Sequence, residues 1–202
     1  MKYPGGIKRQ SISRKPSQSN GTINSMVNRG MSLEEDINIT NQYYLDHQIG
    51  VIHKKPTPIQ IVNVHYPKRS AAVITEGYFQ KSSTTDYNGI YKGKHIDFEV
   101  KETKNKILFP LSNVHDHQIK HMEDVAKHGG ICFIIIRFTV HDENYYIPFE
   151  TFLSIWQEQH LTKKSISYKQ IQEIGYKIPF SYQARVDYLK IIDQLYFNNG
   201  GK

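Results

Sequence analysis

The chain has 202 residues, one cysteine, 38% hydrophobic residues and a mean hydropathy of −0.57. That length suits one domain with a full core, and no apolar run reaches the ~18 residues that cross a bilayer. A formal charge of +7 favours a polyanionic partner. The opening residues lack the apolar stretch of a secretory leader, so a cytoplasmic protein is expected.

Residues 1–31 are rich in Ser, Asn, Gly and Lys. Lys2, Lys8, Arg9, Arg14, Lys15 and Arg29 all precede the first acidic residue, Glu34. This composition predicts a flexible basic arm ahead of a domain spanning 32–202. Ser32-Leu33-Glu34-Glu35 reads as a capping box. It predicts a helix running to about His47, with Leu33, Ile37, Tyr44 and Leu45 inward and Gly50 as the stop. Glu34 either leans toward a catalytic pocket or favours the positive helix end, and the second reading is preferred.

Short strands are expected at Val51–His53 and Ile59–Val62, split by Lys54-Lys55-Pro56-Thr57-Pro58. The segment 63–75 has strand-like edges and a basic middle, Tyr66-Pro67-Lys68-Arg69. It predicts a projecting basic stalk between two strands, suited to insertion into a nucleic-acid opening. Arg29, Lys54, Lys68 and Arg69 are the DNA-contact candidates. Each basic cluster alone would pass for a solvated face. Carboxylates set among the cations favour a metal-dependent nuclease over a plain binding module.

Thr84-Thr85-Asp86 is followed thirteen positions on by Glu99-Val100-Lys101. Asn88-Gly89 is a strong hairpin signal, and Lys92-Gly93 is the rival. Asp86 and Glu99 lie symmetrically about Lys92-Gly93. That symmetry predicts a turn within 88–94, centred near Gly93, with the two acids opposite each other. Strand alternation puts Asp97, Glu99 and Lys101 on one face and Phe98 and Val100 on the other. Asp97 could be a further ligand or the partner of a lysine.

Downstream, the pattern predicts a strand at 107–111 and a helix at 114–127 closed by Gly129-Gly130, with Ile119, Met122 and Ala126 inward. A buried strand at 131–138 follows and holds Cys132, a core residue rather than a nucleophile. A strand at 145–147 and helices at 149–159, 167–174 and 184–197 complete the chain. This order predicts an α/β fold: a mixed central β-sheet flanked by helices. Of His115, His117 and His121, only the last two share a helix face. Without a zinc-type pattern, a solvated or DNA-facing surface is expected for them.

Phosphodiester cleavage at neutral pH needs a nucleophilic water and charge relief on the phosphate, which Mg²⁺ (with Mn²⁺ as substitute) supplies. Few protein oxygens suffice for Mg²⁺, and Asp86 and Glu99 are the natural carboxylates. Lys101, on the same face, can orient or deprotonate the water or stabilise the transition state.

The Asp86…Glu99-Val100-Lys101 pattern resembles the PD-(D/E)xK nuclease superfamily of restriction-endonuclease-like fold. Asn28-Arg29-Gly30, Leu33-Glu34-Glu35, Thr84-Thr85-Asp86-Tyr87-Asn88-Gly89, Ile96–Thr103 and His117-Gln118 resemble the RecU family of Holliday junction resolvases. The resemblance covers nearly the whole chain. It implies Thr84, Asp86, Glu99 and Gln118 as metal-associated positions and Lys101 as transition-state stabiliser. The superfamily's proline before the first Asp is replaced here by Thr85. A four-way DNA junction as substrate and a homodimer follow as expectations, because two symmetric cuts need two sites related by a two-fold axis. The resemblance leaves open a recombinase or branch-migration protein as a further partner. The rival readings are a non-cleaving architectural protein and a nuclease of linear duplex.

Overall fold

The computed structural model describes residues 31–68, 70–80, 84–158 and 164–198. The expected basic arm, Arg29 within it, and Arg69 lie outside the described residues.

The first helix, α1 (Leu33–Asp46), opens on the expected capping box: the Ser32 hydroxyl accepts from the Glu35 N–H while Glu35 accepts from the Ser32 N–H. Leu33, Ile37 and Tyr44 are buried, but Leu45 is exposed, and Asp36, Thr40 and Asn41 complete the buried face. The stop also differs from expectation. Gln48, at φ 55°, takes the left-handed position, and Gly50 falls beyond it.

Six strands form the central sheet: β1 (Val51–Lys54), β4 (Tyr87–Tyr91), β5 (Lys94–Thr103), β7 (Ile131–Phe138), β8 (Glu143–Pro148) and β10 (Tyr176–Ile178), in the order β1-β4-β5-β7-β8-β10. All neighbours are antiparallel except β5 and β7. A parallel pair needs a crossover, and α2 (Asp116–Lys127) lies within it. The sheet is therefore mixed, with helices on its faces, as expected.

Every residue of β7 is buried, so the strand serves both faces. Ile131, Phe133 and Ile135 pack with α1 and with α5 (Tyr188–Ile192). Cys132, Ile134 and Ile136 pack with α2 and α3 (Phe149–Glu158). The rings of Tyr87, Phe98, Phe133 and Tyr146 stack at 5.0, 4.6 and 4.4 Å from β4 across to β8. This row buries aromatic area on four adjacent strands and fixes their register. Burial pushes the Cys132 thiol up, in keeping with an inert core cysteine.

The hairpin register follows the symmetry in the sequence. Tyr91 pairs with Lys94 and Tyr87 with Phe98, so the turn is the two residues Lys92-Gly93, both at positive φ (46° and 77°). Asn88-Gly89 sits inside β4 instead. A Cβ on Gly89 would stand 2.1 Å from the Val51 carbonyl oxygen, so close approach of β1 is what requires glycine there.

The segment expected to project is longer than 63–75. β2 (Ile59–His65) and β3 (Val73–Phe79) pair antiparallel as a separate two-stranded sheet. It is less a basic element than an apolar one. Ile59, Ile61, Val62, Val73, Ile74, Tyr78 and Phe79 are all exposed.

Two short strands escaped the sequence reading: β9 (Ser165–Ser167), which pairs with β6 (Leu108–Pro110), and β10. Between them lies α4 (Tyr168–Ile174), capped by the Ser167 hydroxyl. The closing helix is shorter than expected. Residues 184–187 are irregular, and α5 passes into a π-helical turn over Asp193–Phe197.

Candidate active site on the β4–β5 hairpin

Strand alternation puts Ile96 and Phe98 into the core beneath α1, so Asp97, Glu99 and Lys101 face α2. Across the hairpin, Asp86 lies just before β4, opposite Glu99. Its main-chain N–H donates to Glu99 Oε2 at 3.1 Å. The other oxygen, Oε1, accepts from Lys101 Nζ at 2.6 Å and from Gln118 Nε2 at 2.6 Å. Glu99 is fully buried, while Lys101 and Asp86 are only partly so. Asp86, Glu99, Lys101 and Gln118 are thus brought together from a strand end, the facing strand and the first turn of α2.

Burial is the main cause that pushes the Glu99 carboxyl up to about 8, with the neighbouring Asp86 carboxyl adding to it and Lys101 opposing. A fully buried acid beside a partly buried one, with a single lysine against them, leaves negative charge under-compensated. A divalent cation would relieve it. Among the described residues no three His, Cys, Asp or Glu gather as a metal-binding group. A cation here would therefore have two carboxylates, neutral oxygens and waters, a donor set that suits Mg²⁺.

Thr84 is partly buried, with its hydroxyl 3.4 Å from the Thr85 carbonyl oxygen. The Gln118 amide oxygen accepts the His115 N–H at 2.9 Å, closing the start of α2, so its amino group is what faces Glu99. Turning that oxygen to a cation would cost the α2 cap.

His115, His117 and His121 do not come together as a metal site among the described residues. The rings of His115 and His117 stack at 5.5 Å. His121 is no solvated surface group as expected. Its Nε2 lies 3.1 Å from Asp97 Oδ2, because the inward face of α2 turns it to β5. Asp97 (1% exposed) resolves the choice left open in the sequence, since its Oδ2 accepts from Lys55 Nζ at 2.9 Å. Lys55 and Thr85 were missed as site residues. Lys55 read as one of a basic pair, and nothing local to it signals an inward ammonium.

Glu34 meets Lys54 at 2.5 Å, in a pair with both side chains well exposed. Such pairs contribute at most ~1 kcal/mol, so Lys54 can be recruited by a phosphate. Lys68 is exposed beyond the end of β2.

The family model for recombination protein U, RecU, matches residues 28–194. Curated relatives named Holliday junction resolvase RecU align along nearly their whole length. That of Oceanobacillus iheyensis is 58% identical over 98% of this chain and 100% of its own. That of Bacillus subtilis is 54% identical over 98% and 96%. Among solved structures, the Holliday junction resolvase Hjc of Archaeoglobus fulgidus aligns with a TM-score of 0.41 at 10% identity, covering 70% of this chain and 94% of that one. A family match across most of the chain, together with relatives more than half identical end to end, makes this protein a member of the RecU family.

Proposed function

We propose that this chain is a Mg²⁺-dependent endonuclease that resolves four-way DNA junctions by paired symmetric nicks, acting as a homodimer. The observation that carries the reading is the buried Glu99 carboxylate, set between Asp86, Lys101 and Gln118. It stands in a chain whose 58%-identical relative is named a Holliday junction resolvase.

Asp86 and Glu99 would hold the cation, with Thr84 contributing directly or through water and Gln118 through its amino group on Glu99 or a bound water. When bound, it supplies charge relief on the phosphate and lowers the pKa of a water. Lys101, anchored on Glu99 at 2.6 Å and partly open to solvent, holds a cationic N–H donor at the mouth of the site. It can orient the attacking water or neutralise charge building on the phosphoryl oxygens.

The β2–β3 hairpin would enter the open centre of the junction. Its exposed Tyr66, Tyr78 and Phe79 offer faces for unstacked bases, and Lys68 offers charge for phosphate. The basic residues 1–31, with Arg29, and Lys54 and Arg69 would add phosphate contacts. A cytoplasmic location suits this work.

The test uses a supercoiled plasmid that extrudes a cruciform. With Mg²⁺, paired nicking converts it to linear product, whereas unpaired nicking gives open circles. Asp86→Ala and Glu99→Ala should abolish both products. Binding without any cut would favour an architectural protein, and equal cutting of linear duplex would remove junction selectivity.

A further inference from the structure

Beside the acids lies a second buried cluster that the mechanism above does not use. Asp97 Oδ1 accepts the Thr85 hydroxyl, and Oδ2 accepts from Lys55 Nζ at 2.9 Å. His121 Nε2 stands 3.1 Å and His95 Nε2 3.4 Å from the same Oδ2. Thr85 and Asp97 are each 1% exposed. By residue type, Asp97, His95 and His121 would make a metal triad. The Lys55 ammonium already stands against that oxygen, and it also lies 3.4 Å from His121 Nε2. The cluster is closed around its own cation.

Lys55 reaches the catalytic segment twice. Its ammonium donates to the Thr85 hydroxyl oxygen at 2.9 Å, and its main-chain N–H donates to the Asp86 carbonyl at 2.8 Å. Its own place is set by β1, whose last residue, Lys54, pairs with Tyr87. Residues 84–86 have neither helix nor strand of their own to hold them. A proline ahead of Asp86 would fix φ by its ring. Threonine has no such constraint and must be held by its hydroxyl.

We propose that Asp97, acting with Lys55 through the Thr85 hydroxyl, is a positioning residue that locks the Thr84–Asp86 segment so that the Asp86 carboxylate meets Glu99 as one cation site. This rests on the metal-dependent reading above. A buried Asp97 carboxylate without a catalytic task would be costly were it not paired. Here its pairing spans the residue that follows β1, β5, α2 and the loop before β4, the parts that must agree for Asp86 to face Glu99.

The test compares Thr85→Val, Thr85→Ser, Asp97→Asn and the Thr85→Val/Asp97→Asn double variant with the wild type. Mn²⁺ binding to the protein alone is read from the free-ion electron paramagnetic resonance signal. Single-turnover nicking of a four-way junction in Mg²⁺, junction affinity in Ca²⁺ and the Tm are measured beside it. Losing a group that orients a ligand costs ~10–100-fold in metal affinity or activity. Thr85→Val and Asp97→Asn should each lose that much Mn²⁺ affinity and nicking rate, with junction affinity within about twofold. The double variant should be no worse than the poorer single, because both remove one constraint. Thr85→Ser, which keeps the hydroxyl, should recover most of the loss.

Wild-type Mn²⁺ affinity and rate in Thr85→Val overturn the proposal. So do losses that multiply in the double variant, or a Thr85→Ser as poor as Thr85→Val. If the wild type binds Mn²⁺ through Asp86 and Thr85→Val weakens it, yet no junction is nicked, the positioning role stands and the resolvase reading falls.

Discussion

The main-chain N–H of Asp86 donates to Oε2 of Glu99 at 3.1 Å, across the open end of a hairpin whose turn is Lys92-Gly93. The same antiparallel register that aligns the two strands therefore aligns two acids. Glu99 pays for this position in solvation, since it is buried beside a second carboxyl group.

Without divalent ion, the stability of the fold should depend on pH through Glu99. The Glu99 carboxyl is pushed from 4.5 up to about 8, chiefly by burial. An acid whose folded pKa is raised holds its proton in the fold while the unfolded chain has lost it. Its contribution is fully present below pH 4.5 and is lost as pH rises through about 8. One proton limits the slope to ~1.4 kcal/mol per pH unit. Urea unfolding in EDTA should therefore show stability falling between pH 5 and 8, within about that limit. Glu99→Gln should flatten the fall. An equal slope in both proteins would place the titration elsewhere.

Lys101 opposes the shift on Glu99 and is partly solvent-exposed. Lys101→Met should lower the nicking rate by ~10²–10³, the usual cost of one electrostatic contributor. Junction affinity in Ca²⁺ should change by less than about threefold, because one phosphate contact is a small part of the interface. A variant that loses affinity instead would make Lys101 a docking residue.

The register of this hairpin was legible because strand parity and symmetry need only spacing. So was the buried β7, a continuous apolar run. Asn88-Gly89 competed as a turn signal because a glycine demanded by the neighbouring strand looks the same in sequence as one demanded by a turn; the Asp86–Glu99 symmetry decided between them. β9 and β10, each three residues long, are too short to show a period. Lys55 meets Asp97 from 42 positions away, a contact no local pattern encodes. Gln118 was legible only by family resemblance, since a helical glutamine carries no chemical signature of a metal site.

The β2–β3 hairpin offers a separable prediction. Phe79 is 81% exposed and Lys68 is exposed, so neither supports the core. Phe79→Ala and Lys68→Ala should leave stability within ~0.5 kcal/mol. Phe79→Ala should weaken junction binding, while Lys68→Ala should reduce the slope of log affinity against log salt by about 0.9. Unchanged binding in both would remove the hairpin from the DNA interface.

Gly89 and Gly93 separate two reasons for glycine on one hairpin. Gly93 sits at φ +77° with nothing within 4 Å of an added Cβ, so Gly93→Ala should cost only the left-handed penalty, ~1–2 kcal/mol. At Gly89 an added Cβ would stand 2.1 Å from the Val51 carbonyl oxygen and 2.6 Å from the Ile52 Cα. Backbone cannot yield there without parting β1 from β4. Gly89→Ala should therefore cost ~3 kcal/mol or more, read from urea unfolding. It should also cost activity beyond the stability loss. Lys55 follows β1 directly and donates to the Asp86 carbonyl at 2.8 Å, so a displaced β1 carries the clamp on Asp86 away with it. Measured where both variants remain folded, nicking should fall in Gly89→Ala and hold in Gly93→Ala. Equal rates in the two would mean that β1 does not set the position of Asp86.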